Sequence, residues 1–116
     1  MSGSEDKKNK GTRAYVPGKQ ITLAHLIANP DTSLCGKAGV PDSGAMGILT
    51  LTPGETAIIA GDVAVKGSGV QIAFLDRFSG TLILYGSVGD VEEALHNVNA
   101  MLTTVLGYDG CNVTRH

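Results

Sequence analysis

The stretch Ile21-Thr22-Leu23-Ala24-His25-Leu26-Ile27-Ala28-Asn29-Pro30 decides the fold. Its apolar residues are too dense for a strand with one face in water, where apolar and polar side chains alternate. It reads as a buried strand over about 20–28 that runs into a helix start. Asn29 can cap free backbone N–H groups, and Pro30 suits the first helical position because its missing N–H has no partner there. The predicted helix is short, about 30–38, and Gly36 and Gly39 limit it. Before the strand, Pro17-Gly18 forces a turn and Arg13-Ala14-Tyr15-Val16 is a brief alternating run. Residues 1–12, MSGSEDKKNKGT, are nearly free of apolar side chains and read as a disordered tail.

Beyond the loop Pro41-Asp42-Ser43-Gly44, Ala45 to Leu51 reads as a second strand. Thr52-Pro53-Gly54-Glu55 has the pattern of a capping box: Thr52 as cap, Pro53 at the first position, Glu55 reaching back to the cap. A helix is expected over about 53–66, with Ala57, Ile58, Ile59, Ala60, Val63 and Ala64 as a broad apolar face. Val70–Leu75 and Thr81–Tyr85 flank the glycine-bearing connection Asp76-Arg77-Phe78-Ser79-Gly80, which predicts a hairpin. Ser87 caps the longest helix. Along it Val91, Leu95, Val98, Leu102 and Val105 step by four, three, four and three, one stripe of an amphipathic helix. Gly107 stops it, and residues 108–116 leave room for one short strand.

From Ala45 the order is strand, helix, strand, strand, helix. That is a ferredoxin-like βαββαβ unit without its last strand. The strand at 20–28 supplies it from the front of the chain. A circular permutation of this kind is permissible where the original termini lie together at the surface. The fold class is therefore α+β, an antiparallel sheet with helices, in one domain spanning 13–116.

The totals limit what such a domain does. The chain has 116 residues, 42% hydrophobic and 17% charged, with 16 Gly, no Trp, three Tyr and two Phe. A net charge of −2 and one small basic cluster, Lys7 to Lys10, lack the basic footprint and stacking aromatics of a nucleic-acid binder. No apolar run approaches the ~18 residues of a membrane span. The charged N-terminus has no secretory pattern, and Cys35 and Cys111 read as reduced thiols. No nucleophile–base pair or phosphate-cradling loop is recognisable, so no catalytic residue is assigned. Neither metal-ligand spacing nor a cofactor motif is present, so no cofactor is expected.

Three blocks, YVPGKQITLAHLIANP (15–30), AMGILTLTPGETAIIAGDVA (45–64) and IAFLDRFSGTLILYGSVGDVEEAL (72–95), closely resemble the circularly permuted, single-domain group of bacterial microcompartment shell proteins. That group occurs in ethanolamine-, propanediol- and choline-utilization compartments, and the resemblance covers about residues 13–115. It implies a homohexamer that tiles with other shell proteins around encapsulated enzymes, in a shell lying in the cytoplasm and retaining an aldehyde intermediate. Encapsulated enzymes are a further candidate partner.

The resemblance also implies positions. Arg13, Ala14, Tyr15 and Val16 correspond to a strand of a six-stranded barrel over the hexamer centre. Asp76, Arg77, Phe78, Ser79 and Gly80 correspond to the pore turn, although bulky Phe78 departs from the usual small residues and argues against an open pore. Relatives with an iron–sulfur cluster carry its cysteine in that turn, where this chain has none. Gly44 has two readings, turn geometry or a hinge that bends the hexamer. His25 reads as a satisfied buried or interfacial histidine and His96 as solvated. The competing function is a ferredoxin-like regulatory domain that binds a small ligand.

Overall fold

The computed structural model describes residues 18–39, 41 and 44–116. The expected tail at 1–12 and barrel strand Arg13–Val16 lie outside them. The described elements are β1 (Gln20–Ile27), α1 (Thr32–Ala38), β2 (Ala45–Thr52), α2 (Thr56–Gly67), β3 (Gln71–Asp76), β4 (Thr81–Gly86), α3 (Val88–Thr104) and β5 (Thr114–Arg115).

The strands form one sheet in the order β3-β4-β2-β1-β5. Read from β2 and finished with β1, the first four follow the ferredoxin-like order, with the displaced strand beside the strand that opens the unit. β1 pairs antiparallel with β2 from Gln20↔Thr52 to Ile27↔Met46, with one irregularity between Ile21 and Leu23. The expectation of an antiparallel sheet needs one amendment. The C-terminal segment adds β5 parallel to β1, so the sheet is mixed. That segment follows β1 at both ends: Ile21 N–H donates to the Asp109 carbonyl at 2.8 Å, and Ala28 N–H to the His116 carbonyl at 2.8 Å. β1 thus has hydrogen-bonded backbone on both sides.

It is covered along one face and at its end on the other. Ile21, Ala24 and Leu26 join the main core with α2 and α3. Ile27 joins a smaller cluster on the opposite face with Cys35 of α1 and Met46 of β2. This burial accounts for Ile21, Ala24, Leu26 and Ile27, whereas Leu23 is 39% exposed.

α3 presents Val91, Leu95, Val98 and Leu102 to the core, all fully buried. The predicted fifth member of the stripe, Val105, is 66% exposed, because the helix ends at Thr104 and the chain turns away through Gly107 (φ 73°). α2 buries a narrower face than expected: Ala57, Ala60, Gly61 and Ala64 lie against the sheet, whereas Ile58 and Ile59 are exposed. Its small residues let the helix sit close to β3, where a Cβ on Gly61 would come within 3.0 Å of the Ile72 side chain.

Two predicted caps move. α1 begins at Thr32 under Asp31, whose carboxylate accepts from the Ser33 N–H at 3.1 Å. Asn29 and Pro30 belong instead to the exit of β1, where Ala28 is still bonded to the C-terminal segment. At α2 the capping box does not form. Thr52 is the last paired residue of β2, opposite Gln20, so its backbone is committed to the sheet. Pro53-Gly54-Glu55 instead makes a tight turn, with Thr56 N–H bonded to the Pro53 carbonyl and Ala57 N–H to that of Gly54. Ser87 caps α3 as expected, accepting from the Asp90 N–H. One buried polar pair links α2 to the C-terminal segment: the Thr56 and Tyr108 hydroxyls lie 2.8 Å apart.

Candidate functional site

The β3–β4 tip is built around one carboxylate. Asp76 accepts from the Phe78 N–H at 3.0 Å and from the Ser79 hydroxyl at 2.8 Å. The Ser79 bond first, then the backbone bond, hold its pKa below the ordinary aspartate value. The Gly80 N–H closes the turn on the Asp76 carbonyl at 2.8 Å. With the carboxylate turned inward, the tip presents the neighbouring residues. The Phe78 ring is 84% exposed, and the Arg77 guanidinium lies 5.0 Å from its centroid, within cation–π range. The tip therefore offers a cation stacked on an aromatic face.

The tip is fastened to the body of the domain. Leu51 N–H donates to the Gly80 carbonyl at 2.8 Å, so the end of β2 holds the end of the turn. Asp76, Arg77, Phe78, Ser79 and Gly80 thus form one small unit, as the sequence grouped them.

The depressed Asp76 pKa gives a pH prediction. A carboxylate whose folded pKa lies below its unfolded one stabilises the fold above the unfolded value. That stabilisation is lost as pH falls through the folded value. Asp76→Asn should therefore lower the urea midpoint at neutral pH, and the gap to the parent should close as pH drops below the ordinary aspartate range. A gap unchanged by pH would show that the carboxylate charge is irrelevant to the turn. Asp31, held low by its Ser33 bonds, is lost in the same window in both proteins and cancels from the difference.

Gly44 has φ +108°, and a Cβ there would stand 2.8 Å from the Gly86 carbonyl oxygen. It lies just before Ala45, which pairs with Gly86 at the end of β4. This is a tight entry into β2 that other residues fit poorly. Cys35 is buried, and Cys111 is partly buried, with burial raising its thiol pKa. Among the described residues no group of three or more His, Cys, Asp or Glu side chains comes together, and no helix is long and apolar enough to cross a membrane.

His25 is half-buried and hydrogen-bonded, within the reading given above. Its partners were missed: Thr114 on one ring nitrogen and His116 on the other. The i, i+2 spacing of Thr114 and His116 puts them on one face of a strand, but the sequence does not show that this strand lies beside β1.

The BMC domain model matches residues 45–111. It starts at β2 and leaves out β1, although β1 is bonded into the middle of the sheet. EutS of Escherichia coli, a bacterial microcompartment shell protein, is 58% identical over 93% of this chain and 97% of its own length. This chain belongs to the bacterial microcompartment shell proteins. PduU of Salmonella typhimurium, another shell protein, is 52% identical over 87% of this chain and 88% of its own. Among solved structures, a CutR flat hexamer superposes with a TM-score of 0.84 at 40% identity, covering 90% of this chain and 96% of that one. Shell proteins are structural rather than catalytic, which accounts for a chain whose polar clusters hold turns and caps.

Proposed function

We propose that six copies of this chain close into a ring that serves as a tile in the shell of a bacterial microcompartment in the cytoplasm, bearing no catalytic step. The observation that carries this is the superposition on the CutR flat hexamer over nearly the whole of both chains. The surface of one subunit supports it. Ile58, Ile59 and Val65 on α2, with Ile72 and Phe74 on β3, are all exposed, and a closed ring gives such flanks a neighbour. The other shell proteins are its lateral partners, and encapsulated enzymes face its inner side. The enclosed pathway has an aldehyde intermediate, as in choline, ethanolamine or propanediol utilization.

The tip Asp76–Gly80 faces the ring centre, where Phe78 narrows the opening. Arg13–Val16 of each subunit forms one strand of a barrel above it. At Gly44 the turn role is favoured over a hinge, because its positive φ and its approach to Gly86 are sufficient reason for glycine.

Native mass tests the ring. A single species of six subunits is expected, and a stable monomer or dimer would overturn the tile. Deleting residues 1–16 should leave the six-subunit mass unchanged while opening the centre, seen as a hole in averaged electron micrographs. Loss of assembly on deletion would refute the barrel as a mere cover. The regulatory-domain alternative predicts a ligand-dependent rise in thermal stability, and the relatives favour the tile over it.

A further inference from the structure

We propose that His25 and His116 form a two-imidazole site for a divalent late transition metal, on the sheet face opposite α2 and α3. The argument begins with the backbone. Thr114 pairs with His25 in the parallel β1–β5 ladder. His116 N–H donates to the Leu26 carbonyl at 3.0 Å, and its own carbonyl accepts from Ala28 at 2.8 Å. His116 is therefore fixed on both sides of its α-carbon. Ala24 and Leu26 point into the main core, so His25 between them projects from the other face. Thr114 and His116 project with it, and their side chains reach the His25 ring. Arg115 between them points away, toward Glu92 at 3.9 Å, which keeps its cation from the imidazoles.

The hydrogen bonds are compatible with the tautomer a metal needs. The Thr114 hydroxyl donates its one proton to the Ala24 carbonyl at 3.4 Å. In that arrangement its oxygen is free to accept from His25, whose Nδ1 lies 2.5 Å away. With Nδ1 protonated, His25 Nε2 carries a lone pair. That lone pair faces Nδ1 of His116 at 2.5 Å, and the ring centroids are 4.7 Å apart. A metal-binding histidine that donates its other N–H to an oriented acceptor is the usual supporting arrangement for such ligands.

In the metal-free form the His116 tautomer that bears its proton on Nδ1 pairs with this lone pair. A tetrahedral ion with metal–nitrogen bonds of ~2.0–2.1 Å would need the two nitrogens roughly 3.3 Å apart. The His116 side chain is exposed, so rotation of its ring supplies the difference while β5 stays in place. Its proton then resides on Nε2. Imidazole pairs suit zinc, nickel and copper. No third His, Cys, Asp or Glu joins among the described residues, so water completes the coordination and the site is open.

The test is calorimetric titration of the assembled full chain with zinc chloride, repeated on variants of confirmed native mass. One zinc per chain is expected. His116→Gln, at an exposed position, should abolish binding, and His25→Gln should do the same. Thr114→Val should keep the stoichiometry but weaken affinity about 10- to 100-fold, the cost of losing a supporting hydrogen bond to a ligand. His96→Gln, an exposed histidine on α3, should change nothing. The proposal fails if the parent binds no zinc, if binding survives His116→Gln, or if His96→Gln removes it. Should His25→Gln misfold, the His116→Gln and Thr114→Val pair decides.

Discussion

Gly80→Ala should lower the unfolding free energy by about 3 kcal/mol, read as a shift of the urea midpoint at fixed protein concentration. Two separate costs lead there. Gly80 has φ +76°, a left-handed conformation that costs an L-residue roughly 1–2 kcal/mol. An ideal Cβ would also lie 2.0 Å from the Leu51 carbonyl oxygen and 3.2 Å from the Gly54 α-carbon. Neither neighbour is a side-chain end that can swing aside. Leu51 belongs to β2, which is paired with β1 on one side and β4 on the other. Relief therefore requires the turn to lift from β2. That breaks the bond from Leu51 N–H to the Gly80 carbonyl, worth about 1 kcal/mol net. Ser79→Ala, one residue earlier, loses an exposed hydroxyl bonded to Asp76 and 3.0 Å from the Thr81 hydroxyl, leaves the backbone in place, and should cost about 1 kcal/mol. Comparable effects for the two would mean that the turn is not fastened to β2. In the proposed ring the same lift would move Arg77 and Phe78 at the centre. Gly80→Ala should then also broaden the native-mass profile.

The contrast between these neighbouring residues shows what the sequence carries. The existence and order of elements were legible, because they depend on periodicity. The stripe Val91-Leu95-Val98-Leu102 and the hairpin Val70–Tyr85 are local patterns, and even the displaced strand followed from counting what the βαββα order lacked. The misread positions are those where a long-range partner overrides a local preference. Thr52 has the residue type and spacing of a cap, but pairing with Gln20 claims its backbone for the sheet. Asn29 and Pro30 signal a helix start, yet the bond from Ala28 to His116 delays it to Asp31. Ile58 and Ile59 look like core by composition. The close approach of Gly61 to Ile72 of β3, with Ala57, Ala60 and Ala64 buried beside it, turns both outward. The candidate site divides in the same way. Asp76 to Gly80 is contiguous and could be grouped on sight, whereas His25, Thr114 and His116 meet only because the last residues run beside β1.

Leu95→Ala should cost about 3 kcal/mol, within the range for deleting a buried leucine side chain, and Val105→Ala less than about 0.5 kcal/mol. The two residues belong to one stripe in the sequence, so the difference tests where the core ends. Leu95 is fully buried over β2, where a Cβ on Gly47 would lie 3.4 Å from its Cδ2. Truncating Leu95 leaves a void against a position that has no side chain to fill it. The small, paired strand beneath resists collapse, and the cost of such substitutions rises with the residual cavity. Val105 lies past the helix end and is mostly solvated in the single subunit, so shortening it removes little buried surface. Equal effects at the two sites would refute the partition of the stripe at Leu102. A cost above about 1 kcal/mol at Val105, with Leu95 still larger, would place Val105 under a neighbouring subunit, since burial is what gives a methyl group its worth. Measuring both variants below and above the concentration at which the ring forms separates these cases. A core effect persists in the free subunit, whereas a contact between subunits appears only with assembly.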